Sequence, residues 1–510
     1  MRPVRGLFTA VLVLLSSVIG AASAGAAPEG QMTWGVHVSL APTWFDPAET
    51  SANITPWMVL YAVHDAVVKA LPGNPMTPSL AESWSVSPDG LVYEFVLRRG
   101  VRFHNGDPVT AEDIRFSFER YRGTAHTTLK ERVAAVETPN PERVRFRLKW
   151  PWPDFMTFYA SATGAGWIVP RKYIERVGDE GFKKSPIGAG PYRFVSYIPG
   201  VELVLEAFDQ YWRKSPNVKR LVLRVIPDEA TRTAALKRGE VDIGYSIRGA
   251  LAEELRRTAG LTLRSAANQV TWWVHFVDQW DPKSPWHDRR VRQAANPAIN
   301  RQGINQAELL GAAKITGSII PASFDFYWQP PLYSYDASRA RQLLAEAGYP
   351  NGFDAGEFFS DSALNAPEAV VNDLRAVGIR VKFRPLERVA FFRGLAEKKY
   401  KSLVCVGSGA FGNAATRIEA FVVAGGSYVD RSYADIDGLF GEQAAELDRK
   451  KREAILHRIQ QLIHDKAMFA PVLEIAFMSG VGPRVEESGL GLITGYAFSA
   501  PYEDVKLRSK

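Results

Sequence analysis

The residues of this chain that could carry chemistry are few and scattered. Its eight histidines stand apart, and His457 and His464 lie seven positions apart on one helical pattern. That is beyond the i, i+4 spacing by which two imidazoles on a helix share a metal. There is no H-E-x-x-H, no G-x-S-x-G elbow, no S-x-x-K and no Gly-Lys phosphate loop. The single cysteine, Cys405, rules out an internal disulfide, a CxxC redox pair and a cysteine-rich zinc site. It sits in the apolar run Leu403 to Val406, which makes it a buried, inert thiol. One run imitates a cofactor site. Gly407-Ser-Gly409-Ala-Phe-Gly412 matches G-x-G-x-x-G after a short strand, and Asn413 to Phe421 could supply the helix whose N-terminus would take a pyrophosphate. No strand ending in an acid follows at the required distance, and Asp430 stands in a polar loop. The better reading is a glycine loop that lets backbone approach a ligand. These absences point to a binder rather than an enzyme, with no catalytic residue, metal or cofactor expected.

Composition narrows the setting. Arg2 and Arg5, the apolar Leu7 to Ile19 and Ala22-Ser23-Ala24 have the pattern of a secretory signal over residues 1–27, with cleavage after Ala24 or Ala27. The apolar run is short for a membrane span and interrupted by Ser16-Ser17. No cysteine follows the signal to carry a lipid, so the expected location is the periplasm, as an exported soluble protein. Against 55 Asp and Glu stand 62 Lys and Arg, a net charge of +7 that falls to +5 without Arg2 and Arg5. The basic residues are dispersed among acids, which argues for a solvated surface and against nucleic acid as a partner. About 480 mature residues exceed one typical core, so at least two lobes are expected. Thirteen Trp and 27 Phe are enough to fill those cores and line a pocket.

Strand and helix patterns interleave along the chain. Met32 to Val38 reads as a strand and Pro56 to Lys69 as a helix. Pro78 to Tyr121 is dense in signals. Asp89-Gly90 and Asn105-Gly106 are turn dipeptides. Tyr93, Phe95 and Leu97 alternate on one strand face, and Thr110 with Asp113 forms a short capping box. Val270 to Val277 and Pro471 to Met478 read as strands, and Glu442 to Lys466 as one long helix. The fold class this predicts is α/β.

Seven segments in order resemble one family. They are Phe45-Asp-Pro-Ala48, Pro78 to Arg120, Pro186-Ile-Gly-Ala-Gly-Pro-Tyr192, Tyr211-Trp212, Ala235 to Asp242, Val291 to Ala295 and Ala347 to Phe353. Together they resemble the family-five extracellular solute-binding proteins, the dipeptide- and oligopeptide-binding class that serves ABC importers. The resemblance implies a two-lobed periplasmic-binding-protein fold of type II with an extra subdomain in the first lobe. The expected layout is 28–269 for the first lobe, with the subdomain at about 60–180. Residues 270–477 form the second lobe, and 478–510 return to the first. It implies a monomer that closes on a small-molecule or short-peptide ligand and is recognised by an ABC permease in the inner membrane. Rival readings are a secreted hydrolase, a periplasmic peptide-binding chaperone, or a receptor for nickel complexes or haem.

The family's peptide binders hold the ligand's amino terminus with an aspartate in a second-lobe loop. Here the corresponding loop, Gly407 to Glu419, carries no acid at Asn413 to Thr416. Arg417 adds positive charge, and Glu419 is a displaced substitute. The expectation is a neutral or anionic solute, peptide-like or opine-like. The candidate ligand residues are Trp44, Trp57, Trp167, Trp272, Trp273, Phe411, Asn413 and Arg417. Trp272 and Trp273 are strand neighbours, so at most one should face the cleft. For Arg417 a surface salt bridge is weighed against a ligand contact.

Overall fold

The computed structural model describes residues 27–50, 55–123, 125–161, 163–361, 366–409 and 412–509. The signal-like segment, apart from Ala27, lies outside them. The chain is mixed α/β, organised on one eleven-stranded sheet that runs through both lobes. From one edge the strands are Tyr192–Ile198, Glu202–Ala207, Val218–Val225, Glu29–Val36 and Ile243–Gly244, then Phe469–Val481 and Thr262–Phe276, then Leu403–Ser408, Phe353–Asp361 and Ile379–Leu386. Lys314–Ile315 pairs off the path with Phe469–Val481.

Two long antiparallel strands join the lobes: Thr262–Phe276 and Phe469–Val481, in register from Thr262 opposite Val481 to His275 opposite Phe469. Register shifts fall between Ala267 and Thr271 and between Trp272 and Trp273. Such bulges bend a strand pair and increase its twist. The crossing is therefore longer than the apolar runs alone predict.

The Pro78 to Tyr121 block supplies two strands of a separate four-stranded sheet, ordered Ala81–Val86, Val92–Leu97, Arg143–Leu148, Val133–Asn140. Tyr93, Phe95 and Leu97 are buried, as their alternation predicts. Gly90 and Gly106 adopt φ of +69° and +87° at the two turns. Thr110 and Asp113 form the capping box of helix Ala111–Arg120. Phe95, Phe118, Phe146, Phe155 and Tyr159 pack into this unit's own core.

Several matched segments hold one another. Asp46 is fully buried, and Arg120 donates to its two oxygens at 2.7 Å each. Asp65 accepts from the Tyr211 hydroxyl at 3.0 Å and the Trp212 indole at 2.6 Å. Gly188 and Gly190 press on the end of helix Trp57–Val63, where a Cβ at 188 would lie 2.0 Å from the Val63 carbonyl oxygen. No side chain fits there, which is why this segment needs glycine.

Two predicted helices differ. Pro56 to Lys69 is helical only over Trp57–Val63; His64 turns extended, and strands Asp65–Ala66 and Val68–Leu71 follow. The β-branched pair Val67-Val68 is buried, and from Val68 on the chain pairs as sheet instead. Glu442 to Lys466 is two helices, Ala434–Ala445 and Arg449–Asp465, because Asp448 caps the second by accepting from the Lys450 and Lys451 amides.

Candidate functional site

The predicted tryptophans go into three cores. Trp57 and Trp167 stack at 5.7 Å in the first-lobe core, Trp167 edge-on to Tyr61 and Trp57 tilted against Tyr496, with Trp44 half-buried beside them. Trp272 and Trp273 leave the hinge strand on opposite faces. Trp272 joins Val274, Phe276 and Trp286, whereas Trp273 meets Phe421 at 5.0 Å and Phe469 at 6.4 Å. Both of their indole N–H groups are buried and find no hydrogen-bond partner among the described residues. Phe477, further along the second hinge strand, packs on the first-lobe core and on one second-lobe core at once. Phe411 lies outside the described residues.

The glycine loop after strand Leu403–Ser408 delivers Asn413 as the N-cap of helix Ala414–Phe421. Its Oδ1 accepts from the Thr416 amide at 3.0 Å. Its Nδ2 reaches across to the first lobe, donating to Asp154 Oδ1 at 2.5 Å and to Thr157 Oγ1 at 3.4 Å. Arg452 donates to the other Asp154 oxygen at 2.5 Å and to Gln443 at 3.0 Å. An acid is thus present at this loop, but it arrives from the opposite lobe and is already paired.

Arg417 is buried, with 2% of its surface exposed, so it is not a surface salt bridge. Its only hydrogen bonds among the described residues run to the Ser408 carbonyl, both at 3.3 Å. Trp273, Phe324 and Phe421 box the guanidinium at 5.5 to 5.6 Å. Burial lowers its pKa to about 9. Arg292, also buried, shows what a structural arginine looks like here. It donates to the carbonyls of Trp286, His287, Lys466 and Ala467 at 2.7 to 3.1 Å. A guanidinium carries five N–H donors, and among the described residues those of Arg417 find one acceptor, the Ser408 carbonyl, and no carboxylate.

Sequence reasoning missed Asp154 and Arg452, whose partners are remote in the chain, and His37. His37 stands just beyond the C-terminal end of the parallel strand Glu29–Val36, 4.4 Å from the Phe498 ring, with Nδ1 unpartnered among the described residues. Burial and then Arg232 and Arg248 push its pKa down to about 3, keeping it neutral. Carboxyl ends of parallel strands are where open α/β sheets place ligands, and a lone histidine after a strand was the available signal. Cys405 is buried, its thiol pushed up to about 12, which fits the expected inert role. Among the described residues no group of three or more His, Cys, Asp or Glu could hold a metal ion. No helix among them is long and apolar enough to cross a membrane.

A sheet running through two lobes, with a charged contact between them, is the architecture of a closing receptor, and comparison supplies the family. Residues 75–428 match the bacterial extracellular solute-binding proteins, family 5. The chain belongs to that family. Its members are solute-binding proteins. The chain is 29% identical to di/tripeptide-binding protein 2 of Pseudomonas aeruginosa over 422 residues, 76% of this chain and 77% of that one. It is 25% identical to heme-binding protein A of Haemophilus influenzae over 491 residues, 88% of each. An ABC-transporter substrate-binding protein of Listeria monocytogenes superposes with a TM-score of 0.82 at 21% identity, covering 94% of this chain and 99% of that one. The two-lobed periplasmic-binding-protein fold and the role of substrate-binding component of an ABC importer thus hold for this solute-binding protein.

Proposed function

We propose that this family-five receptor works in the periplasm, without covalent chemistry, and captures a peptide-like or opine-like solute bearing a carboxylate. It then presents the closed form to an inner-membrane permease. The observation that supports this is Arg417. A buried cation without a counter-charge costs several kcal/mol unless a ligand supplies one. A ligand ammonium has no free acid at the loop, because Asp154 is held by Arg452 and Asn413. Glu419, the displaced substitute, lies 3.5 Å from Arg132 of the first lobe. Arg417 is therefore the favoured contact, with His37 across the cleft, while Asn413 is held by Thr416, Asp154 and Thr157 and shapes the loop.

The test is thermal stabilisation by matched pairs of ligands, each offered as the free acid and the carboxamide. The expected result is a rise in melting temperature for the acid and little for the amide, with the compound recovered unchanged. A preference for the amide, or for an amine lacking any carboxylate, overturns the reading. Recovery of a cleaved compound would restore the hydrolase alternative.

A further inference from the structure

The contact between the lobes is built from charges in a reciprocal pattern. The first lobe contributes one base and one acid, Arg132 and Asp154; the second contributes one of each, Arg452 and Glu419. Asp154 binds Arg452 at 2.5 Å, with side-chain exposures of 11% and 4%. Arg132 approaches Glu419 at 3.5 Å and is about one quarter exposed. The guanidinium groups lie over rings of their own lobes, Arg132 over Trp152 at 4.4 Å and Arg452 over Phe326 at 5.1 Å. Asn413 adds a neutral donor to Asp154. Beside them, a Cβ at Gly90 would lie 3.0 Å from Leu447 Cδ2, so the first hairpin turn of the subdomain also touches the second lobe.

We propose that Asp154, Arg452 and Asn413, flanked by Arg132 and Glu419, form an interlobe clasp that populates the closed form before ligand arrives. This rests on the reading of the molecule as a receptor that closes on its solute. With the lobes apart, all four ions are free to be hydrated. Closing takes Asp154 and Arg452 out of water together and shields Arg132 and Glu419 in part, each against an opposite charge. The pairing therefore offsets the desolvation only in the closed form. Removing one partner leaves the other buried and alone in that form and changes little in the open one. Apparent affinity scales with the fraction of molecules able to bind in the closed state, so these are positioning residues for binding although they need not touch the solute. Asn413 links the two tasks, because the same side chain caps the ligand-loop helix and holds Asp154.

The test is an interlobe distance distribution, by pulsed electron resonance, on the ligand-free chain. Spin labels replace Val86 and Leu332, which are exposed on opposite lobes, while Cys405 is buried and stays unlabelled. The unmodified clasp should show a closed population. Arg452→Met should lower the closed-to-open ratio roughly thirtyfold or more. Adding Asp154→Leu to Arg452→Met should restore much of it, since an apolar pair of similar volume replaces a buried ion pair well. If Arg452→Met does not fold, Arg132→Gln at the more exposed pair should give a smaller shift of the same sign. A fully open ligand-free protein, or an unchanged ratio in the folded variant, overturns the clasp. Neither result touches the ligand reading, which the acid and amide melting shifts judge separately.

Discussion

The two places where the lobes meet are made of different materials. At the hinge they are joined by backbone, two strands of fifteen and thirteen residues paired along most of their length. At the clasp they meet chiefly through side chains, four ions and an amide, with no strand shared between them among the described residues. The ladder survives any motion that bends it, because its hydrogen bonds belong to neighbouring strands of one sheet. On the proposed reading, the clasp forms in the closed arrangement of the lobes and is lost in the open one. The hinge should thus set whether the protein folds, and the clasp how often it is shut.

The largest effect expected is at the hinge. Val274 pairs with Cys405 on one side and Ala470 on the other. Val274→Pro removes a donor from a central strand and should cost about 3 kcal/mol or more. Thermal unfolding followed by circular dichroism should show a collapsed or absent transition; a native melting curve would break the comparison. Next comes Arg292→Met, which strands four carbonyls, including those of Lys466 and Ala467 just before the second hinge strand. Urea unfolding should show a loss of about 3 kcal/mol. A loss below about 1 kcal/mol would mean that water replaces it.

Acid should weaken the frame more gradually. His64 and the hinge residue His275 are buried, and burial lowers the pKa of each to about 4. Unfolded imidazole titrates near 6.5, so below that pH the unfolded chain takes up protons that the native one refuses. Stability is fully present above about pH 6.5. It should fall by about 1.4 kcal/mol per pH unit for each histidine until pH 4. His275→Gln should flatten the slope of urea-unfolding stability against pH, and an unchanged slope would exclude this cause. The smallest effect is at the exposed pair Arg99 and Glu142, with side chains 82% and 49% accessible. Arg99→Ala should move stability by less than about 0.5 kcal/mol. A larger change would show that surface ions, and not burial, set the strength of such contacts here.

What the sequence disclosed divides along the same line. The turns at Gly90 and Gly106, the Thr110 cap and the alternation from Tyr93 to Leu97 are local, and each was legible from a few neighbouring residues. The hinge strands showed through their apolar runs, although the polar stretch before Val270 hid how far the first extends. The order of the matched segments carried the two-lobed fold. Asp154 was invisible because its partners Asn413 and Arg452 are 259 and 298 positions away. Nothing in a lone acid after Trp152-Pro153 marks it as an interlobe contact. Arg417 was legible as a cation in the loop singled out from sequence, but its burial among Trp273, Phe324 and Phe421 depends on three distant segments folding together. Pro56 to Lys69 misled because a buried apolar run reads equally as helix or strand.

The contact of the Asp89-Gly90 turn with Leu447 has a practical side. Leu447 remains 48% exposed even while it touches that turn. An attachment there should alternate between bulk water and a crowded, partly dry niche each time the mouth opens and shuts. A polarity-sensitive dye carried at position 447 would turn the receptor into an optical gauge, whose colour reports how often the mouth is shut, with or without a solute.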